Sequence, residues 1–330
     1  MTEVPKTLSQ VGDGAYAYVQ HDGSWGWSNS GLVVEGEHAL VVDTLFDLRL
    51  TRELLDAYRR VLPAGAAITT LVNTHANGDH TFGNQLFDGA QIVASRATAA
   101  EMTEVPPALL AALMRQAPQM GLLGEFLSRI FGPFEFEGIE LTLPTATFDG
   151  EIALRVGAKH VRLVEVGPAH TRGDTIVVVP ADRVVYTADI LFAGGHPIIW
   201  EGPVENWLRA LDLVLALDVD TVVPGHGPVT DKRAVIALRD YFTYLDREAR
   251  ARFDAGMSSI DASLDIPLAD FASWGEAERM AANVRSLFRW YSGGERASAP
   301  QVLGEMAEWD RRRKVTVSPA APGEDEEAPR

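Results

Sequence analysis

Cysteine is absent from all 330 residues, which excludes a disulfide framework, a thiolate metal site and a thiol nucleophile. Positive charge is scarce: 29 Lys and Arg stand against 46 Asp and Glu, a net charge of −17. Such a balance does not suit a protein that tracks a phosphate backbone, where Lys and Arg supply most of the affinity. Also missing is any run approaching the roughly 18 continuous apolar residues of a membrane span. The opening Met1-Thr-Glu-Val-Pro-Lys6 has neither the basic start nor the apolar block of a secretory leader. These absences predict a cytoplasmic protein with no nucleic-acid or membrane partner, acting on a small molecule, and compatible with a homo-oligomer.

With 46% hydrophobic and 23% charged residues, the chain has enough apolar surface for a large core. The end, Ser318 to Arg330, is rich in Pro, Ala and acids without periodicity, and reads as a disordered tail. Up to about residue 230 the pattern is α/β: short β-rich runs such as Ala39-Leu-Val-Val42 and Thr175-Ile-Val-Val-Val179 alternate with helical stretches. Leu54, Leu55, Tyr58 and Leu62 predict a helix over 50–62 with Thr51 as its N-cap. Residues 98–135 interrupt the rhythm with apolar helical pieces that either pack on the core or cover a pocket. After Gly227 the strands stop, and amphipathic helices are expected over 231–256, 276–291 and 301–309. The predicted organisation is an α/β core at 1–230, a helical appendage at 231–316 and an acidic tail at 317–330.

Four strand-like runs end in residue types that bind metals: Ile68 to His75, Val161 to His170, Val184 to Asp189 and Val219 to His226. Ligand sites in α/β folds form where strands open into loops. The first of these loops, His75-Ala-Asn-Gly-Asp-His80, packs three more polar candidates into six residues. Neutral imidazole and carboxylate are ligands that zinc, iron and manganese accept.

With these residues the sequence resembles the metallo-β-lactamase superfamily, whose hallmark is a His-x-His-x-Asp-His loop followed by a His, a bridging Asp and a last His. The likeness runs from about residue 14 to 230. It implies an αββα four-layer sandwich with one or two metal ions at one edge, and hydrolysis as the default activity. By the family pattern His75, position 77 and His170 hold the first ion; Asp79, His80 and His226 hold the second; Asp189 bridges them. Here Asn77 stands where the pattern has its second His. An amide oxygen is the weaker, uncharged ligand, so uneven occupancy is expected, with the second site the more secure. Zinc is the expected metal, and the oxygen and nitrogen ligand set also accepts iron or manganese.

A metal-activated hydroxide attacking an acyl carbon follows from that ligand set. Asp79 is expected to orient the water, and Tyr186 and His196 are candidates to shuttle a proton or hold a substrate oxygen. Trp25, Trp27 and Trp200 are candidate substrate-binding aromatics, with Glu201 and Arg172 as polar contacts. The expected substrate is a small, apolar ester, lactone, thioester or amide. An iron-dependent oxidoreductase on the same fold and a non-enzymatic binding protein with a decayed site are the alternatives.

Overall fold

Branching at Cβ suits a pleated backbone, and the Val- and Ile-rich runs form strands that assemble into two sheets. In the computed structural model, which describes residues 4–317, the first sheet holds β1 (Lys6–Gly12), β2 (Ala15–Gln20), β3 (Ser30–Glu35), β4 (His38–Val42), β5 (Ala67–Val72), β6 (Gln91–Ser95) and β7 (Ala146–Phe148) in sequence order. The strands β1 to β4 meander antiparallel, and β4 to β7 run parallel. The second sheet contains β8 (Glu151–Val156), β9 (Lys159–Glu165), β10 (Thr175–Val179), β11 (Val184–Phe192) and β12 (Thr221–His226), in the order β12-β11-β10-β9-β8. Only β11 and β12 pair in parallel there.

The sheets face one another through Ala17, Val33, Leu40, Val42 and Val93 on one side and Val161, Leu163, Val177, Val184 and Val223 on the other. The alternate residues of the same strands point outward under helices. Leu50, Leu54 and Tyr58 of Leu48–Arg59 join Leu71 and Ile92 over the first sheet. Trp207 and Leu211 of Val204–Ala216, with Leu238 and Phe242 of Lys232–Asp254, join Ile176, Val178 and Val222 over the second. The result is the expected helix, sheet, sheet, helix layering. Strands buried on both faces, as all five residues of β10 are, read as continuous apolar runs rather than alternating ones.

The first long helix begins earlier than expected. Asp47, not Thr51, caps it: Asp47 Oδ1 accepts the Leu50 amide at 2.7 Å. Thr51 lies inside the helix, buried, with its hydroxyl against the Leu45 backbone. Residues 96–131 form three helices, Arg96–Glu101, Pro107–Gln116 and Gly121–Phe131. The C-terminal region is helical, with Lys232–Asp254, Ser259–Asp265, Arg279–Ser292 and Ala299–Val317. Its last helix is longer than the expected 301–309, and Val317, assigned to the tail in the sequence reading, ends it. Residues 318–330 of that expected tail lie outside the described residues. Among the described residues no helix is long and apolar enough to cross a membrane.

Candidate metal centre and its cavity

The residues that the sequence singled out as metal ligands converge at one edge of the two sheets. His75 lies in the loop after β5, and Asp79 and His80 lie in the single helical turn Gly78–Thr81. His170 sits between β9 and β10, and His226 is the last residue of β12. Asp189 is not at a strand end, as its sequence suggested, but within β11. The strand irregularity there is what turns it outward: Ala188 has φ 45°, and the pairing with β12 slips between Tyr186 and Ala188. Gly225 on the partner strand is needed beside it, because a Cβ at that position would stand 2.0 Å from Asp189 Oδ1.

Asp189 is the hub. Its oxygens lie 3.1 Å from His80 Nε2, 3.3 Å from His170 Nε2, 3.5 Å from His226 Nε2 and 3.8 Å from His75 Nε2. Asp79 Oδ2 is 3.3 Å from His226 Nε2 and 3.9 Å from His80 Nε2. Two triads, His75/His170/Asp189 and Asp79/His80/His226, each bring three ligand atoms within 4.8 Å of one another. All six residues are buried.

Hydrogen bonds on the far side of the rings fix the tautomers. Thr74 Oγ1 spends its one proton on Asp43 Oδ2 at 2.6 Å, so at 3.1 Å from His75 Nδ1 it must accept. His80 Nδ1 donates to Asp43 Oδ2 at 2.9 Å. His170 Nδ1 donates to the Ile198 carbonyl at 2.8 Å. In each case Nδ1 carries the proton and Nε2 is turned to the centre, the arrangement that outer carboxylates and carbonyls impose on metal-binding histidines. His226 is oriented differently, by stacking on Phe192 with ring centroids 5.2 Å apart and planes 3° from parallel.

The electrostatics match. Burial holds His75 and His170 below the ordinary imidazole value, so both are neutral. Burial works against charge on His80 and His226 too, but there Asp189 and Asp79 outweigh it and raise both, His226 to about 9. The two carboxylates call for positive charge at their centre. His75 Nε2 is buried without a hydrogen-bond partner, and His80 Nε2 and Asp189 Oδ1 face one another at 3.1 Å without the alignment of a hydrogen bond, which is costly for polar atoms unless something else coordinates them. The set of nitrogen and oxygen donors therefore fits a metal ion.

Asn77 lines the cavity at this edge. Its Nδ2 is 3.1 Å from His170 Nε2, and because His170 Nδ1 already holds the ring proton, the amide donates and Nε2 accepts. Asp43 is a centre residue that the sequence reading passed over. It ends the run Ala39-Leu-Val-Val42, so the same signal, an acid closing a strand, was available to find it.

Two proposed proton carriers lie elsewhere. Tyr186 points into the space between the sheets, where its hydroxyl donates to the Tyr16 carbonyl at 3.0 Å. Gly31 leaves the room for its ring, since a Cβ there would meet it at 2.4 Å. Tyr186 is thus a buried packing residue with its polar end satisfied, not a group at the metal centre. His196 is fully buried against Tyr241 and Trp274, does not line the cavity, and is lowered to about 4 by burial and by Arg279. It is neutral and walled off by aromatic rings.

Above the ligands opens a cavity of about 180 Å³. Asp79, His170, Asp189 and His226 form its floor, and Phe46, Leu110, Leu113, Phe131, Ile198 and Leu303 are among its apolar walls. Of the three proposed tryptophans, Trp25 and Trp200 line it. Trp27 does not; its ring packs on Phe134 at 4.8 Å inside the core. Residues 98–131 do both things weighed for them: Phe126, Leu127 and Ile130 join the core, while Val105, Leu109, Leu110 and Leu113 face the cavity. At the mouth, Arg172 and Arg296 are paired with Glu101, Glu104 and Glu201.

A family model described as the metallo-beta-lactamase superfamily matches residues 23–226. Among curated proteins the chain is 27% identical over 239 residues to a 2,4-dinitroanisole O-demethylase subunit alpha of Nocardioides sp. (strain JS1661), covering 70% of this chain and 61% of that one. It is 22% identical over 315 residues to a linear primary-alkylsulfatase of Pseudomonas sp. (strain ATCC 19151), covering 87% and 57%. The chain thus spans about three fifths of the length of these relatives. Among solved structures, the stereoselective inverting sec-alkylsulfatase Pisa1 from Pseudomonas sp. superposes with a TM-score of 0.67 at 15% identity, over 89% of this chain and 51% of that one. DIM-1 metallo-beta-lactamase gives 0.54 at 19%, over 73% and 99%. At these identities the structural likeness speaks to the fold.

Proposed function

Starting from a chain that belongs to the metallo-beta-lactamase superfamily, we propose that it is a metal-dependent hydrolase cleaving an ester-type bond, an acyl ester in the first instance, of a small substrate with an apolar body. The observation that carries this reading is the ligand cluster on the floor of an apolar cavity. His75, His170 and Asp189 would hold one ion, and Asp79, His80, His226 and Asp189 the other; zinc is the metal we favour. A divalent ion held there would supply Lewis acidity, lowering the pKa of water from about 15.7 to about 7 and polarising the bond under attack.

The protein's own contribution is orientation and exclusion. Asp43 and the Ile198 carbonyl hold the Nδ1 protons of His80 and His170 and so turn Nε2 of each toward the centre. Asp79 is the most accessible of the carboxylate ligands, its side chain 13% exposed against 4% for Asp189, and is the group we assign to orient the attacking water and accept its proton. The walls of Phe46, Leu110, Phe131 and Leu303 strip bulk water from the substrate, which strengthens every polar interaction at the floor.

A sulfate ester is the second reading, favoured by the extent to which this chain aligns with the alkylsulfatases, 87% of its length in one and 89% in the other. The test is metal analysis of protein purified without chelator, followed by turnover of matched octyl acyl esters and octyl sulfate with and without chelator. Metal near one or two equivalents, with chelator-sensitive cleavage of either ester, supports the reading. A protein that binds no transition metal and cleaves neither overturns it.

A further inference from the structure

Two arginines line this cavity, Arg296 and Arg279, and only the first is accounted for by ion pairs. Arg172 and Arg296 at the mouth share three glutamates. Arg279, from the helix Arg279–Ser292, lies deeper: it is only 2% exposed, yet lines the same cavity as Asp79 and His226. Among the described residues no carboxylate comes within ion-pair distance of it. Glu276, whose carboxyl feels its charge, forms no ion pair with it. Its Nη1 donates to the His196 carbonyl at 2.8 Å, and its Nε has no partner.

A buried cation with one neutral acceptor is unfavourable unless something further compensates it. Two aromatic faces do so in part. The guanidinium lies 4.3 Å from the Trp25 ring centroid and 5.3 Å from that of Phe192. These rings hold the group in place without neutralising it. Phe192 also stacks on His226, so a single ring links the guanidinium to the metal ligands. A planar cation with free N–H groups, fixed at the edge of an apolar chamber, is built to receive an oxyanion.

We propose that Arg279 binds an anionic group of the substrate, so that the chamber takes an amphipathic organic anion: an apolar body against Leu110, Leu113 and Leu303, and a sulfate or carboxylate head at Arg279. This rests on the hydrolase reading above and narrows its substrate class. A sulfate head would be the reacting ester itself; a carboxylate head would sit beside a separate scissile ester.

The test is calorimetric and needs no turnover. The full chain, metal-loaded and metal-free, is titrated with octane-1-sulfonate, octanoate and octan-1-ol, whose apolar bodies match. One of the anions should bind about 10- to 100-fold tighter than the alcohol in both preparations, and which one identifies the head group. Arg279→Met should abolish that preference with metal content unchanged, and Arg279→Lys should keep a fraction of it. Equal binding of anion and alcohol to the parent chain overturns the proposal, as does a folded Arg279→Met that retains the preference. Should Arg279→Met fail to fold, the parent's preference and its weakening in Arg279→Lys decide the matter. Turnover of octyl sulfate and of octyl acyl esters in the same metal-loaded preparation keeps the two readings apart: cleavage without an anion preference sinks only Arg279, and an anion preference without cleavage sinks only the hydrolase.

Discussion

The floor of the cavity and its walls are built on opposite terms. Six buried ligand residues meet at and beneath the floor from loops, a helical turn, the body of β11 and the end of β12, and each imidazole among them is aimed by a specific partner: Thr74 for His75, Asp43 for His80, Ile198 for His170, Phe192 for His226. The walls come largely from helices, Pro107–Gln116 between β6 and β7 and Ala299–Val317 after the last strand, which meet the cavity through apolar side chains, while Arg279–Ser292 contributes Arg279. Directional contacts tolerate little displacement, whereas apolar contacts tolerate exchange of one side chain for another of similar volume. Chemistry is therefore expected to fail on small changes at the floor, and specificity to drift on changes in the walls.

The largest effect should come from the hub. Asp189→Ala removes the one carboxylate within 3.8 Å of four imidazoles; metal content should fall below one equivalent and turnover by about 10³-fold or more, given that metal polarisation supplies several kcal/mol. Retention of full metal content would show that the floor does not depend on its centre. Next is Asp43→Asn, which touches no metal but loosens His80 and the Thr74 loop. Competition with a chelating dye should reveal about 10- to 100-fold weaker metal binding.

Asn77→His adds an imidazole beside His170 and should raise stoichiometry toward two ions by mass spectrometry under native conditions. No gain in metal would mean that the parent's amide is already an adequate ligand. In the walls, Leu113→Trp should raise KM for long-chain substrates several-fold at unchanged metal content, overpacking costing about 1–3 kcal/mol; a fall in kcat with loss of metal would erase the distinction between wall and floor. Smallest of all, Tyr186→Phe should leave kcat and metal untouched and cost about 1 kcal/mol in denaturant unfolding, the worth of a single buried hydrogen bond.

The same difference explains what could be read from the chain alone. His75, His170, Asp189 and His226 were legible because imidazoles and carboxylates closing strand-like runs have few other reasons to be there, and Asp79 and His80 because they share the short loop that His75 opens. The α/β class was legible from the alternation of β-rich and helical segments, and the four-layer arrangement only through the family resemblance of the ligand motifs. Tyr186 and His196 misled for one reason: a polar side chain near a ligand in sequence lies on either face of its strand or loop, and only the packing decides which. Trp27 misled likewise, two residues from Trp25 but turned into the Phe134 cluster. Arg279 left no trace, since a single Arg in an amphipathic helix looks like any solvated charge until the helix is docked. The helix Val204–Ala216 escaped notice as well, because its buried face, with Trp207, Leu211 and Val214, resembles another apolar run.

The last helix has a practical corollary for anyone shortening the protein. The acidic residues after Val317 invite removal, and a cut there spares every cavity contact described above. A cut made about twenty residues earlier, at the loop before Ala299, would strip Ala299, Pro300 and Leu303 from the chamber. It would also remove the anchor by which Trp309 Nε1 donates to the Ser263 carbonyl at 3.1 Å. Such a shortened chain would keep every ligand and lose a wall, and an enzyme tested in that form would report a substrate range that the intact protein does not have.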